Sequence, residues 1–236
     1  VISLPCLFED KDGNEVALWP QKHTVKELKD LHEKDPYVFD TQYQQNPTPI
    51  EGLMYGAFKT YDIIPHTKQH FRKNYTDTAD EGKDYLCSID YIETEIGNFI
   101  IDVLYTKKGM EYTEPKTAEM LAKDNISVAI IESNNGGRGF ARNVGRELRI
   151  MGDSKTTIKW FHQSENKNVR IFTKSADVNN LTHFPSDWET RWPAFAKSIK
   201  TYRKEGKNAN DDAEDALTGT VEWRGKYNNT NLYNVM

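Results

Sequence analysis

The sequence predicts an α/β domain with a mixed central sheet, on three observations. Apolar, β-branched runs occupy 85–92, 97–104, 126–132 and 158–162. Segments with helical spacing separate and follow them, at 115–124, 138–150, 168–178, 187–204 and 211–223. Strands interleaved with helices over about 140 residues bury their apolar faces best as helices packed on one sheet.

The elements follow in order. Asp10-Lys-Asp-Gly-Asn-Glu15 lies between short apolar segments and reads as a hairpin turn centred on Asp12-Gly13. A calcium loop counted from Asp10 fails, because its sixth position is Glu15 and its twelfth is Gln21. Thr24-Val-Lys-Glu27 is a capping box that opens a helix with Val25, Leu28 and Leu31 on one face, stopping at Asp35-Pro36. Phe39 and Tyr43 are spaced for a second helical stretch, which Asn46-Pro-Thr-Pro49 ends. Residues 46 to about 84, rich in Pro, Gly, Asp and Thr, read as a wrapping connector. The runs 85–92 and 97–104 are expected to form an antiparallel pair. Pro115 suits the first turn of the next helix, and Asn134-Asn-Gly-Gly137 makes a glycine-rich bend after the strand 126–132.

Composition bounds the function without deciding it. The chain has 236 residues and a formal net charge of −5, which argues weakly against a nucleic-acid partner. Basic residues nevertheless gather in 138–149 and 155–174, and several acids fall in clusters that a cation would neutralise. No stretch approaches the roughly 18 consecutive apolar residues of a membrane span. Two distant cysteines, Cys6 and Cys87, imply no disulfide framework, so a soluble protein in a reducing compartment is expected.

Three acid clusters carry the chemistry. Asp90 ends one apolar run, Glu132 ends another, and Asp211, Asp212 and Asp215 open a late helix. Carboxylates at the ends of buried strands are costly unless a cation offsets them, which points to a divalent-metal site. Alternation sets Leu86, Ser88 and Asp90 on one side of their strand and Val128, Ile130 and Glu132 on one side of theirs. If those strands are neighbours, Asp90 and Glu132 meet. Each acid also has a plainer reading: strand-end carboxylates face solvent or cap helices, and acids in a first helical turn complement the helix dipole.

Arg138, Arg142, Arg146 and Arg149 recur at helical spacing just after Glu132 and form a guanidinium stripe suited to phosphate. Lys167 and Arg170 form a second basic pair near a helix start. Both groups read equally as solvated helix faces. His66 and His70 lack the flanking glutamate of a zinc protease helix, and no phosphate-binding loop or nucleophile elbow occurs.

Taken together, Phe39-Asp-Thr-Gln-Tyr-Gln-Gln-Asn-Pro47 with Gly52, Ser88-Ile-Asp90, Ile130-Ile-Glu-Ser-Asn-Asn-Gly-Gly137, Lys167-Asn-Val-Arg-Ile171, Phe184-Pro185 and Asp211-Asp-Ala-Glu-Asp-Ala-Leu217 resemble the nuclease portion of a tailed-phage terminase large subunit. The resemblance spans residues 39 to 217 and implies a ribonuclease H-like domain with a mixed five-stranded sheet. It implies residues 1–50 as the tail of an ATPase region or a linker, 51–84 as a connector, 85–225 as the nuclease and 226–236 as a tail. The implied activity is endonucleolytic cutting of concatemeric double-stranded viral DNA during packaging, in the cytoplasm of a bacterial host. Two Mg2+ or Mn2+ ions, roughly 3.5–4 Å apart, are the implied cofactors. Asp90 would bridge them, with Glu132 and one or more of Asp211, Asp212 and Asp215 completing the ligands. Arg138, Arg142, Arg146, Lys167 and Arg170 would hold DNA. The implied partners are the protein's own ATPase domain, a portal and a small terminase subunit, with no membrane. Asn210 stands where related sequences often carry histidine, so the choice among the last three aspartates stays open. A junction-resolvase-like nuclease and a non-enzymatic assembly module are the alternatives.

Overall fold

A computed structural model of the chain describes residues 4–34, 39–45, 52–79, 84–134, 136–206 and 208–228. They fall into two compact units, Val1–Leu53 and Met54–Met236.

In the first unit, β1 (Leu7–Glu9) pairs antiparallel with β2 (Glu15–Ala17). The turn between them is set by Asp10, whose Oδ1 accepts from the amides of Asp12 and Asn14, both at 2.9 Å. Gly13 supplies the left-handed residue this turn requires, at φ 80°. The capping box is reciprocal: Glu27 N donates to Thr24 Oγ1 at 3.2 Å, and Glu27 Oε2 accepts from Thr24 N at 2.8 Å. It opens α1 (Val25–Lys34), whose Leu28 packs with Ala17 and with Phe39 from a π-helical turn, Phe39–Tyr43. The expected helix stop at Asp35-Pro36 and the Pro47–Pro49 connection lie outside the described residues.

The second unit is built on seven strands: β3 (Lys59–Tyr61), β4 (Phe71–Asp77), β5 (Leu86–Thr94), β6 (Gly97–Thr106), β7 (Val128–Glu132), β8 (Thr157–Phe161) and β9 (Thr182–Pro185). Their spatial order is β3-β9-β6-β5-β4-β7-β8. β4, β5 and β6 form an antiparallel meander, while β4, β7 and β8 run parallel, so the sheet is mixed as expected. It has seven strands among the described residues where five were expected, because β9 and β3 extend it beyond β6. The central strand β4 falls inside the stretch expected as a connector.

The remaining elements cover the sheet. On one face, α2 (Met110–Lys123) and α3 (Gly137–Ile150) pack Leu121, Phe140 and Val144 against Leu86, Ala129 and Ile131. On the other lie α4 (Lys167–Leu181), α5 (Trp188–Arg191), α6 (Pro193–Thr201) and α7 (Asp212–Glu222). Their Ile171, Phe195, Ala216 and Leu217 meet Tyr75, Ile89 and Ile130. The single helix expected over 187–204 is thus two, broken at Trp192 because Pro193 has no amide hydrogen to donate and instead opens α6. α2 begins one turn earlier than expected and carries Pro115 inside it.

Candidate metal centre

Three buried carboxylates meet where β4 and β7 end. These strands run parallel with Thr76 beside Ile131, so their last residues, Asp77 and Glu132, lie side by side. Alternation turns both toward α7, the face where Tyr75 and Ile130 also point. α7 supplies Asp215 from its first turn. One oxygen of each acid lies within 4.8 Å of the others, and all three residues are buried.

The local backbone explains this convergence. Thr78 Oγ1 donates to the carbonyl of Glu132 at 3.2 Å and ties the two strand ends together. The chain then turns sharply through Gly136, at φ 88°, into α3. A Cβ at Gly137 would stand 2.0 Å from the Glu132 carbonyl oxygen and 2.6 Å from Thr78 Oγ1, so only glycine fits. α7 is equally constrained, since a Cβ at Gly219 would meet the Tyr75 ring at 2.1 Å. That contact lays the helix directly on β4.

Two cations serve this acid-rich end. Arg170 is fully buried and its Nη1 lies 3.3 Å from Glu132 Oε1 and 3.2 Å from Asp215 Oδ1. Its Nη2 donates to Tyr75 Oη at 3.2 Å and to Glu222 Oε2 at 2.8 Å, while Tyr75 Oη donates to Glu132 Oε1. Lys167 Nζ donates to Asp77 Oδ2 at 2.8 Å and to Asp212 Oδ1 at 3.1 Å, and lies 3.6 Å from Asp211 and 3.7 Å from Asp215. Six carboxylates thus share two cations.

The imbalance is visible in proton affinity. Burial pushes Asp77 well above the usual carboxylate range, although Lys167 pulls it back. Asp215 is pushed up to about 7, by burial first, with Arg170 opposing and Glu132 adding repulsion. Asp215 Oδ1 is buried and accepts no hydrogen bond. Hard oxygen donors, a shortage of positive charge and a buried oxygen that accepts no hydrogen bond together fit a divalent cation, with Asp77, Glu132 and Asp215 as its holders.

No protein-family model matches the chain, and no curated protein matches it. Among solved structures, the manganese-soaked, inhibitor-bound terminase nuclease domain of human cytomegalovirus is similar over 73% of this chain and 91% of that one, at a TM-score of 0.52 and 11% identity. A manganese-soaked form of the same domain covers 72% and 90%, at 0.51 and 11%. The nuclease domain of the large terminase subunit of bacterial virus Sf6 covers 65% and 88%, at 0.48 and 11%. The chain has the terminase nuclease fold.

Within this terminase nuclease fold, the acids singled out in the sequence are dispersed. Glu132 and Asp215 are in the cluster. Asp211 and Asp212 stand beside it, joined to it through Lys167, and Asp212 Oδ2 also accepts from the amide of Tyr85 at 3.0 Å. Asp90 is elsewhere. β4 lies between β5 and β7, so the strands carrying Asp90 and Glu132 are not neighbours. Asp90 is opposite Asn74 rather than Asp77, and alternation turns it to the α2 and α3 face of the sheet. The expected meeting of Asp90 and Glu132 therefore does not occur, and the acid beside Glu132 is Asp77.

The basic residues divide as well. Arg138, Arg142 and Arg146 are exposed along α3, with Arg138 over the Trp160 ring at 5.9 Å. Arg142 and Arg149 line a groove of about 790 Å3 between α3 and β8, away from the acids. Arg170, expected on a DNA-binding surface, is buried with its guanidinium committed to carboxylates.

Proposed function

We propose that this chain is the metal-dependent endonuclease of a phage packaging terminase, cutting double-stranded DNA in the host cytoplasm. The observation that carries this reading is the convergence of Asp77, Glu132 and Asp215 on one point at the end of the sheet. Mg2+ or Mn2+ bound there, as a pair in the full reaction, would generate the attacking hydroxide from water and neutralise the leaving oxygen. The protein's own groups do the positioning. Glu132 is aimed by Tyr75 and Arg170, Asp215 by Arg170, and Asp77 by Lys167. Burial keeps competing water from the carboxylates and strengthens each electrostatic contact. Arg138, Arg142 and Arg146 are proposed to hold the DNA backbone, whereas Arg170 serves the acids. The proposed partners are DNA, the ATPase domain of the same protein, a portal and a small subunit; no helix among the described residues is long and apolar enough to cross a membrane.

Plasmid digestion in Mg2+, Mn2+ and EDTA tests the reading. Cutting should require the metal and disappear in Asp77→Asn, Glu132→Gln and Asp215→Asn, with Mn2+ affinity by calorimetry falling on the order of tenfold or more in each. Cutting by Asp77→Asn at the wild-type rate would remove this assignment.

A further inference from the structure

A second groove opens from the acid-rich end of the second unit and runs between α4 and the segments 202–206 and 208–210, with a volume of about 430 Å3. Asp84, Asp211 and Asp212 line it, Asp84 standing next to Tyr85, whose amide donates to Asp212, so this acidic end is continuous with the carboxylates that hold Lys167. Its walls differ in chemistry from that end. Asn168 and Phe172 come from α4, and Phe172 is 57% exposed, a large ring that no core claims. Arg203 and Lys204 come from the opposite wall, both exposed, and neither forms an ion pair among the described residues. This wall is pre-formed: Arg203 N donates to Asn208 Oδ1 at 2.8 Å, Asn208 Nδ2 donates back to the Arg203 carbonyl at 3.0 Å, and Met54 N donates to the Tyr202 carbonyl at 2.8 Å.

Resting on the nuclease reading above, we propose that this groove seats the DNA strand next to the phosphate being cut. Unpaired cations on one wall and an exposed aromatic ring on the other are the combination that grips a nucleic-acid strand, the cations taking phosphate and the ring a sugar or base face. The side-chain amide of Asn168 adds a neutral donor beside the ring. The polarity of the groove orders its occupant: phosphates lie toward Arg203 and Lys204, and the strand enters the acid end only where bound metal offsets Asp84, Asp211 and Asp212. This contact surface is separate from the arginine stripe on α3. The two are carried on opposite faces of the sheet, so they address different segments of one duplex.

The test is binding of a short labelled DNA duplex by fluorescence anisotropy across a salt series, with Ca2+ replacing Mn2+ to hold cutting back. Arg203→Ala/Lys204→Ala should weaken binding and make the log–log salt slope shallower by about two, since each lost phosphate contact removes about 0.9. Phe172→Ala should weaken binding on the order of tenfold with the slope unchanged, because stacking releases no counterions. Both variants should keep wild-type Mn2+ affinity by calorimetry, which checks their folding. Wild-type affinity and slope in both variants overturn the groove assignment while the nuclease reading stands. A wild type that binds Mn2+ but no duplex overturns the nuclease reading, and the groove falls with it.

Discussion

Asp90 is fully buried, yet its neighbours are mostly acids. Its Oδ1 accepts from Asn74 Nδ2 at 2.7 Å, and no donor reaches its Oδ2. Asp124, whose own Oδ2 is also buried without a donor, and Asp102 add negative charge around it. Burial raises Asp90 well above the usual range, Asn74 opposes this, and Asp124 and Asp102 reinforce it, while Lys123 pairs with Asp102. A proton affinity higher in the folded chain than in the unfolded one stabilises the fold fully below about pH 4, and that contribution is lost as pH rises toward the folded value. Asp90→Asn should therefore flatten the decline in Tm from acid to neutral pH and leave metal-dependent cutting intact. A well-folded Asp90→Asn that no longer cuts would return Asp90 to the catalytic set.

At the scale of elements, β4 determines how much of this molecule the sequence discloses. β5, β6, β7 and their helices follow the patterns of apolar strands and amphipathic helices, so the α/β architecture and the Glu132 and Asp215 positions are legible. β4 is not, because Phe71-Arg-Lys-Asn-Tyr-Thr-Asp77 is mostly polar. Its polar side chains are buried against polar partners: Lys73 with Glu93 at 2.8 Å, Asn74 with Ser88 and Asp90, and Thr76 with Ser88. A reading that equates burial with hydrophobicity passes over such a strand, and Asp77 goes with it. The alternation of Phe71, Lys73, Tyr75 and Asp77, ending in an acid as β7 does, is the signal that was there to find. The break between α5 and α6 was likewise written in Pro193. Gly219 could be understood only in three dimensions, since its importance lies in the Tyr75 ring beneath it. Gly219→Ala should cost about 1–3 kcal/mol by denaturant unfolding, as overpacking does, and should weaken Mn2+ binding because displaced Tyr75 no longer aims Glu132. Wild-type stability and Mn2+ affinity in that variant would show that α7 can lift away without consequence.

Over the whole molecule, the proposed centre draws on residues from the beginning, middle and end of the second unit: Asp77, Glu132 and Asp215. A cation that recognises only the assembled trio binds the native state alone. Mn2+ at about a hundred times its Kd should then add about 2.7 kcal/mol and raise Tm by roughly 5–10 °C. Calorimetric melting with Mn2+ and with EDTA measures this, and equal midpoints would mean that the acids hold no ion. The same spacing has a consequence in time. During synthesis the sheet can form from its amino-terminal strands, but Asp215 arrives only with α7, after every strand has been made. A nascent chain that lacks α7 therefore carries two of the three acids of the proposed centre. On the proposed reading, the order of residues along the chain would act as a safety catch on cutting, released only when α7 docks.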